Sequence, residues 1–131
     1  MKIKTAERLT ATITIGKLFG YSNDEYSINE LYFALQDYQN KRIEEGGIYL
    51  SAFVHEGDIV MSGQIEAHYK LEFINYPKFP LYKRVFKDEI VRLGKHLISK
   101  FKQNRLVIIF DDEIVMLEEN ETIDPRIKFN K

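Results

Sequence analysis

The chain has 131 residues, of which 44% are hydrophobic, 13% aromatic and 30% charged. Its 19 Lys+Arg and 20 Asp+Glu leave a net charge of -1, and it contains no cysteine and no tryptophan. A disulfide framework, a thiolate zinc site and a cysteine nucleophile are therefore excluded, and the apolar fraction is too high for a disordered chain. At ~100–200 residues per domain the length predicts one domain over 1–131, with 118–131 a charged carboxyl-terminal tail. The longest apolar run, Leu106 to Phe110, falls far short of the ~20 residues of a membrane helix, and a cytoplasmic setting is expected. Sixteen Ile and 13 Lys against 5 Ala look like the imprint of an AT-rich genome, which points to a bacterial or phage source.

Residues 9–15 place Leu9, Ala11, Ile13 and Ile15 on one face and Thr10, Thr12 and Thr14 on the other. Period 2 with β-branched residues predicts a half-buried strand. Ser27 followed by Glu30 is a capping box, and Tyr26 with Leu31 fits a hydrophobic staple. A helix is predicted from Ile28 to Glu45, with Ile28, Leu31, Leu35 and Tyr38 as its buried stripe and Gly46-Gly47 as its stop. Ile48 to Val54 alternates again, and Ile65 to Phe73 alternates most regularly. The stretch 48–74 therefore reads as a long hairpin turning at Ser62-Gly63, with Glu56-Gly57-Asp58 a bulge or bend.

A second helix is predicted from Leu81 to Lys102, its stripe being Tyr82, Phe86, Ile90, Leu93, Leu97 and Phe101. Leu106 to Phe110 has the pattern of a central strand. Asp111-Asp112 turns the chain, and Ile114 to Leu117 returns as a last strand. The order β-α-β-β-α-β predicts a ferredoxin-like α+β two-layer sandwich: an antiparallel sheet with a long central hairpin, an extra C-terminal strand and helices on one face. In architecture alone the layout resembles trimeric ferredoxin-like proteins such as the divalent-cation-tolerance and signal-transduction trimers; none of their motifs is present. The opposite sheet face carries Thr10, Thr12 and Thr14, with Tyr49, Ser51 and Phe53 of the second strand. Such a face suits cover by a second subunit, so a homo-oligomer is expected.

Catalytic signatures are missing. There is no phosphate-binding GxxxxGK[ST], no GxGxxG, no HExxH and no GxSxG, and no cofactor is implied. One metal reading exists. If Met61 pairs with Ile65, then Asp58 lies opposite His68, and His55, Asp58, Glu66 and His68 share a face as a His/carboxylate set. A one-residue slip of register dissolves it.

Charge is unevenly placed. Lys78 to Arg105 carries a net +7, Ser22 to Asn75 a net -7, the chain from Asp111 a net -4 and the first 21 residues a net +3. Three readings follow for the basic second helix: a solvated face paired with acidic loops, an anion site at the helix start, or nucleic-acid contact, which the acidic total and the missing RNP1 pattern disfavour. The anion site gives the sharpest expectation. Tyr76 and Phe79 would stack a base, Lys83, Arg84 and Arg92 would neutralise charge, and Arg126 would reach in from a neighbouring subunit. The sequence thus predicts a non-catalytic, oligomeric binding module that sequesters or senses a small phosphorylated or nucleotide-type ligand. The alternatives are a small enzyme with the His/carboxylate site on the hairpin, or a structural assembly protein.

Overall fold

The computed structural model describes residues 1–121. It comprises β1 (Thr10–Gly16), α1 (Ile28–Gly46), β2 (Phe53–Met61), β3 (Gln64–Ile74), α2 (Lys83–Phe101), β4 (Arg105–Phe110) and β5 (Ile114–Glu118). The strands form one antiparallel sheet in the order β2-β3-β1-β4-β5. Both helices pack on one face, so the molecule is the two-layer α+β sandwich of ferredoxin-like type that the element order predicts.

The core follows from the alternation. Leu9, Ala11, Ile13 and Ile15 of the first strand segment are buried, as are Tyr69, Leu71 and Phe73 of β3 and Leu106, Ile108 and Phe110 of β4. The register Ala11↔Phe73, Ile13↔Leu71 and Ile15↔Tyr69 sets these side chains against the helices. Burying such side chains contributes ~1.5–3 kcal/mol each. The other sheet face has no helix over it. Thr10, Thr12 and Thr14 lie there beside the exposed Phe53, Ile74, Ile109 and Met116.

α1 starts as its sequence dictates. The Ser27 hydroxyl accepts from the Glu30 amide and the Glu30 carboxylate accepts from the Ser27 amide. Tyr26 and Leu31 are both buried, and Gly47 at φ 65° closes the helix with its N–H on the Ile43 carbonyl. A partly buried ion pair joins the helices: Arg42 grips Glu89 through Nε at 2.9 Å and through a second guanidinium nitrogen.

Three expectations change. Residues 48–52 form no strand: Ile48 bonds back to the Arg42 carbonyl and Gln39 holds the Leu50 carbonyl, so helix C-cap contacts replace sheet pairing. β2 shows no bulge, its pairing with β3 running unbroken from Phe53↔Glu72 to Met61↔Gln64 across a two-residue turn. Gly63 takes φ 81° in that turn, a conformation that costs glycine no Cβ clash. Tyr82 is not core. It is the extended residue before α2 and 85% exposed, because the helix begins at Lys83 and a side chain ahead of the first turn does not follow the helical stripe.

Candidate functional site

The sequence-predicted ligand residues fall in different places. Tyr76 and Phe79 come together in the β3–α2 loop, at the lower end of β3. Phe79 stacks on Tyr49 at 4.3 Å between ring centres and lies 6.3 Å from Tyr76. These rings border a cleft of about 270 Å³ with Gln39, Ile43, Leu50 and Ser51. The lining is neutral. Lys83 is turned away into a charge cluster on the β4–β5 turn, where Asp112 accepts from Lys83 at 2.8 Å and Lys87 at 2.7 Å, and Glu113 accepts from Lys87 at 2.5 Å. The two ammonium groups hold the Asp112 carboxyl down at about 2. Arg84 is exposed and pairs along the helix with Asp88 at 3.7 Å. Arg92, nine residues on from Lys83 along α2, lines neither the cleft nor the cluster. Arg126 lies outside the described residues.

The metal set separates. With Asp58 opposite Ala67 and Gly57 opposite His68, Asp58 faces the helix layer while His55, Glu66 and His68 face the open side. The real turn is one residue shorter than the sequence reading assumed, and that slip moves Asp58 through the sheet. His55 sits 2.9 Å from Glu72, holding that carboxyl below its ordinary value. Among the described residues no group of three or more His, Asp or Glu could hold a metal ion.

A different cluster forms at the upper end of β3, where β1 stops. Glu66 and His68 extend from β3 on the open face, and Gly16 lies opposite His68. Gln103 enters from the α2–β4 connection. A Cβ built on Gly16 would meet Glu66 Oε1 at 2.7 Å, Gln103 Oε1 at 3.2 Å and His68 Nε2 at 3.7 Å. Three polar atoms therefore converge on one backbone position, and only glycine admits them.

Each member is held. Gln103 is buried, and its amide nitrogen donates to the Leu18 carbonyl at 2.7 Å and the Phe101 carbonyl at 2.9 Å. Both N–H groups are thus spent on backbone, which fixes Oε1 as the atom presented to the cluster. Lys102, in the left-handed region at φ 53°, makes the turn that delivers Gln103. Behind Gly16, the Tyr26 hydroxyl donates to its carbonyl at 2.5 Å, and the Tyr26 ring stacks on Phe101 at 3.9 Å. His68 is oriented by Nδ1, 3.0 Å from the Glu66 carbonyl. The Glu66 side chain is only 16% exposed and touches Gln64 and His68. Among the described residues no lysine or arginine pairs with it. The carboxylate thus has His68 Nε2 at 3.9 Å from Oε1 and lies beside a fixed amide oxygen, an acidic arrangement that can receive a cation.

Sequence reading selected Glu66 for a different role and missed Gly16 and Gln103. The one available signal was Gly16 itself, a glycine closing an otherwise β-branched strand.

The fold is that of a two-layer α+β sandwich of ferredoxin-like type. No protein-family model matches the sequence, and no curated protein matches it. Two solved structures share the fold. A phage SAM lyase in complex with S-methyl-5'-thioadenosine superposes with a TM-score of 0.66 at 21% identity, over 90% of this chain and 95% of that one. A phage SAM lyase in the apo state gives 0.68 at 19% identity, over 94% of this chain and 99% of that one. At such identity the likeness shows the fold alone. It nonetheless overturns the expectation of a non-catalytic module, because both proteins with this architecture are enzymes. The ligand of the first of these neighbours is a nucleoside thioether. No helix among the described residues is long and apolar enough to cross a membrane.

Proposed function

We propose that the chain is a lyase acting on S-adenosylmethionine, releasing S-methyl-5'-thioadenosine. The observation that carries this reading is the Glu66 carboxylate at the notch, bound to no lysine or arginine among the described residues and ion-paired only with His68, on a fold shared along nearly its whole length with a SAM lyase that binds that thioether. The substrate bears two cationic groups, a sulfonium and an ammonium. Glu66 Oε1 and Gln103 Oε1 offer oxygens to such a pole, and Gly16 leaves room for it to approach.

In the lyase reaction the Cγ–S bond of the amino-acid arm breaks without water. The sulfur keeps the bonding electron pair and becomes the neutral thioether, while an oxygen of the fragment's own carboxylate forms the new bond to Cγ, so that the fragment leaves as a lactone and no proton has to be removed. The sulfonium and carboxylate charges cancel in that step, and a weakly solvating surrounding favours the loss of charge over its retention. The role assigned to Glu66 is to seat and orient the cationic pole.

The test is incubation of purified protein with S-adenosylmethionine, with chromatographic detection of S-methyl-5'-thioadenosine. Expected is turnover well above the spontaneous rate; a rate equal to the buffer control overturns the proposal. The uncovered sheet face, with Phe53, Ile109 and Met116 exposed, supports assembly of copies through that face beside the notch. Sedimentation should give a multiple of the 15.5 kDa chain mass, and a monomer at working concentration rejects the assembly.

A further inference from the structure

The helix layer turns its outer surface to solvent, and the charge on that surface is divided between the two helices. On α1 the outward stripe is Phe33, Asp37, Asn40 and Glu44, all exposed. It lies opposite the buried Leu31, Ala34 and Leu35, as a 3.6-residue period requires. On α2 the outward stripe is Arg84, Asp88, Arg92, Lys95 and Ser99, again exposed and opposite the buried Phe86, Ile90, Leu93 and Leu97.

The charges left over on the two stripes are of opposite sign. Asp88 pairs within its own helix with Arg84 at 3.7 Å. Arg92 and Lys95 form no ion pair among the described residues, and neither do Asp37 and Glu44. Lys41, the one exposed cation of α1, is one turn on from Tyr38 and so lies on the side toward α2. Phe33 stands 64% exposed on the acidic stripe, where the helix period calls for a polar residue. The folded surface thus keeps the division present in the sequence, a net -7 from Ser22 to Asn75 against a net +7 from Lys78 to Arg105. The notch uses none of it.

α1 and α2 are antiparallel neighbours, with Arg42 bonded to Glu89 and Tyr38 5.1 Å from His96 between ring centres. A two-fold axis parallel to them brings α2 of a second copy over α1, and α1 of that copy over α2, with each residue keeping its level along the layer. Asp37 then comes opposite Lys95 of the second copy, Glu44 opposite the stretch between Arg84 and Arg92, and Phe33 over the small Ser99. The contact is made twice and closes on itself. An axis across the helices would set acid on acid. An anionic polymer would engage α2 and be repelled by α1, and a basic peptide the reverse, whereas the chain's own helix layer complements both stripes. Such complementarity fixes register and speeds encounter, and Phe33 adds apolar burial. We propose that two copies associate face to face through the helix layer, α1 of each on α2 of the other. The contact is separate from the notch and from the sheet face, so its failure leaves the lyase reading as it stands.

Two full-length variants test it. One makes the α1 stripe basic, Asp37→Lys with Glu44→Lys; the other makes the α2 stripe acidic, Arg92→Glu with Lys95→Glu. Each alone sets like charge on like charge at both contacts, whereas an equimolar mixture restores attraction at both. By sedimentation equilibrium the parent should associate at least ~tenfold more weakly in ~1 M than in ~0.01 M salt. At the lower salt each variant alone should associate at least ~tenfold more weakly than the parent, and the mixture should return to within ~threefold of it. All four positions are exposed, so melting temperatures should stay close to that of the parent, and recovery in the mixture itself shows that both variants are folded. A parent that does not associate, variants that associate as the parent does, or a mixture as weak as its components overturns the proposal. Association through the sheet face alone would give the second of these results.

Discussion

The two ends of β3 are built on opposite principles. At its upper end Glu66 stands beside Gly16 and Gln103 with only His68, at 3.9 Å, as an ion-pair partner. At its lower end Asn75 is knotted into backbone, donating to the Glu7 carbonyl at 3.0 Å and accepting from the Leu81 amide at 2.8 Å, and the surrounding cleft is neutral and aromatic. Nine residues separate Glu66 from Asn75, ~30 Å along a strand, so one nucleoside-sized molecule cannot touch both ends of the same protomer. The lower end has its polar atoms satisfied and adds stability. The upper end holds a carboxylate whose recorded ion pair is with His68, and on the proposed reading a cationic substrate pole completes it. The aromatic residues near the helix start and the polar notch are therefore two separate candidate places, because stacking geometry alone does not distinguish a ligand platform from aromatic packing.

The contrast can be broken most directly at Glu66. Glu66→Gln keeps the shape and removes the charge, and losing a partly buried charged contact of ~2–5 kcal/mol should lower kcat/KM for S-adenosylmethionine at least ~30-fold, with the melting temperature unchanged. Gly16→Ala comes next. Its Cβ would push against Glu66 and Gln103 side-chain ends, which can swing aside, so the fold should survive while turnover drops ~10- to 100-fold through displacement of the carboxylate. A loss of stability matching the loss of activity would show that Gly16 serves the fold instead.

Phe79→Ala probes the other end. It should leave turnover within about twofold of the parent and lower the melting temperature by a few degrees, as removal of a half-exposed stacked ring of ~1 kcal/mol implies. A large loss of activity there would restore the aromatic cleft as the substrate site.

The smallest effect belongs to the basic helix entrance. The folded Asp112 carboxyl is depressed to about 2 by its hydrogen bonds from Lys83 and Lys87. Its stabilising contribution is therefore present above its unfolded value, near 3.8, and is lost as pH falls from there through about 2. Asp112→Asn should flatten the melting-temperature curve in that window and leave it parallel to the parent at neutral pH.

Much of the fold was legible because its signals are local. The alternation of 9–15 and 65–73, the Ser27/Glu30 capping box and the Gly47 stop each depend on neighbours within a few residues, and each is present as read. The hairpin register was not, since choosing between a two- and a three-residue turn at Ser62-Gly63 turns on one backbone conformation. Tyr82 matched the helical spacing, yet spacing does not locate the first helical turn. The notch was least legible of all. Glu66 could be seen as a polar residue on an alternating strand, but Gln103 acquires its role only through the left-handed turn at Lys102 and the carbonyls of Leu18 and Phe101.

The positions 16, 66 and 103 also bear on how activity arises in time. They lie on three segments that meet only after β1 has paired with β3 and α2 has delivered the chain back toward β1, contacts with a high sequence separation and a correspondingly slow closure. No half of the chain contains the notch. In refolding, the return of turnover should therefore follow the last phase of structure formation instead of the first appearance of helix, and a nicked or partly translated chain would carry secondary structure without chemistry.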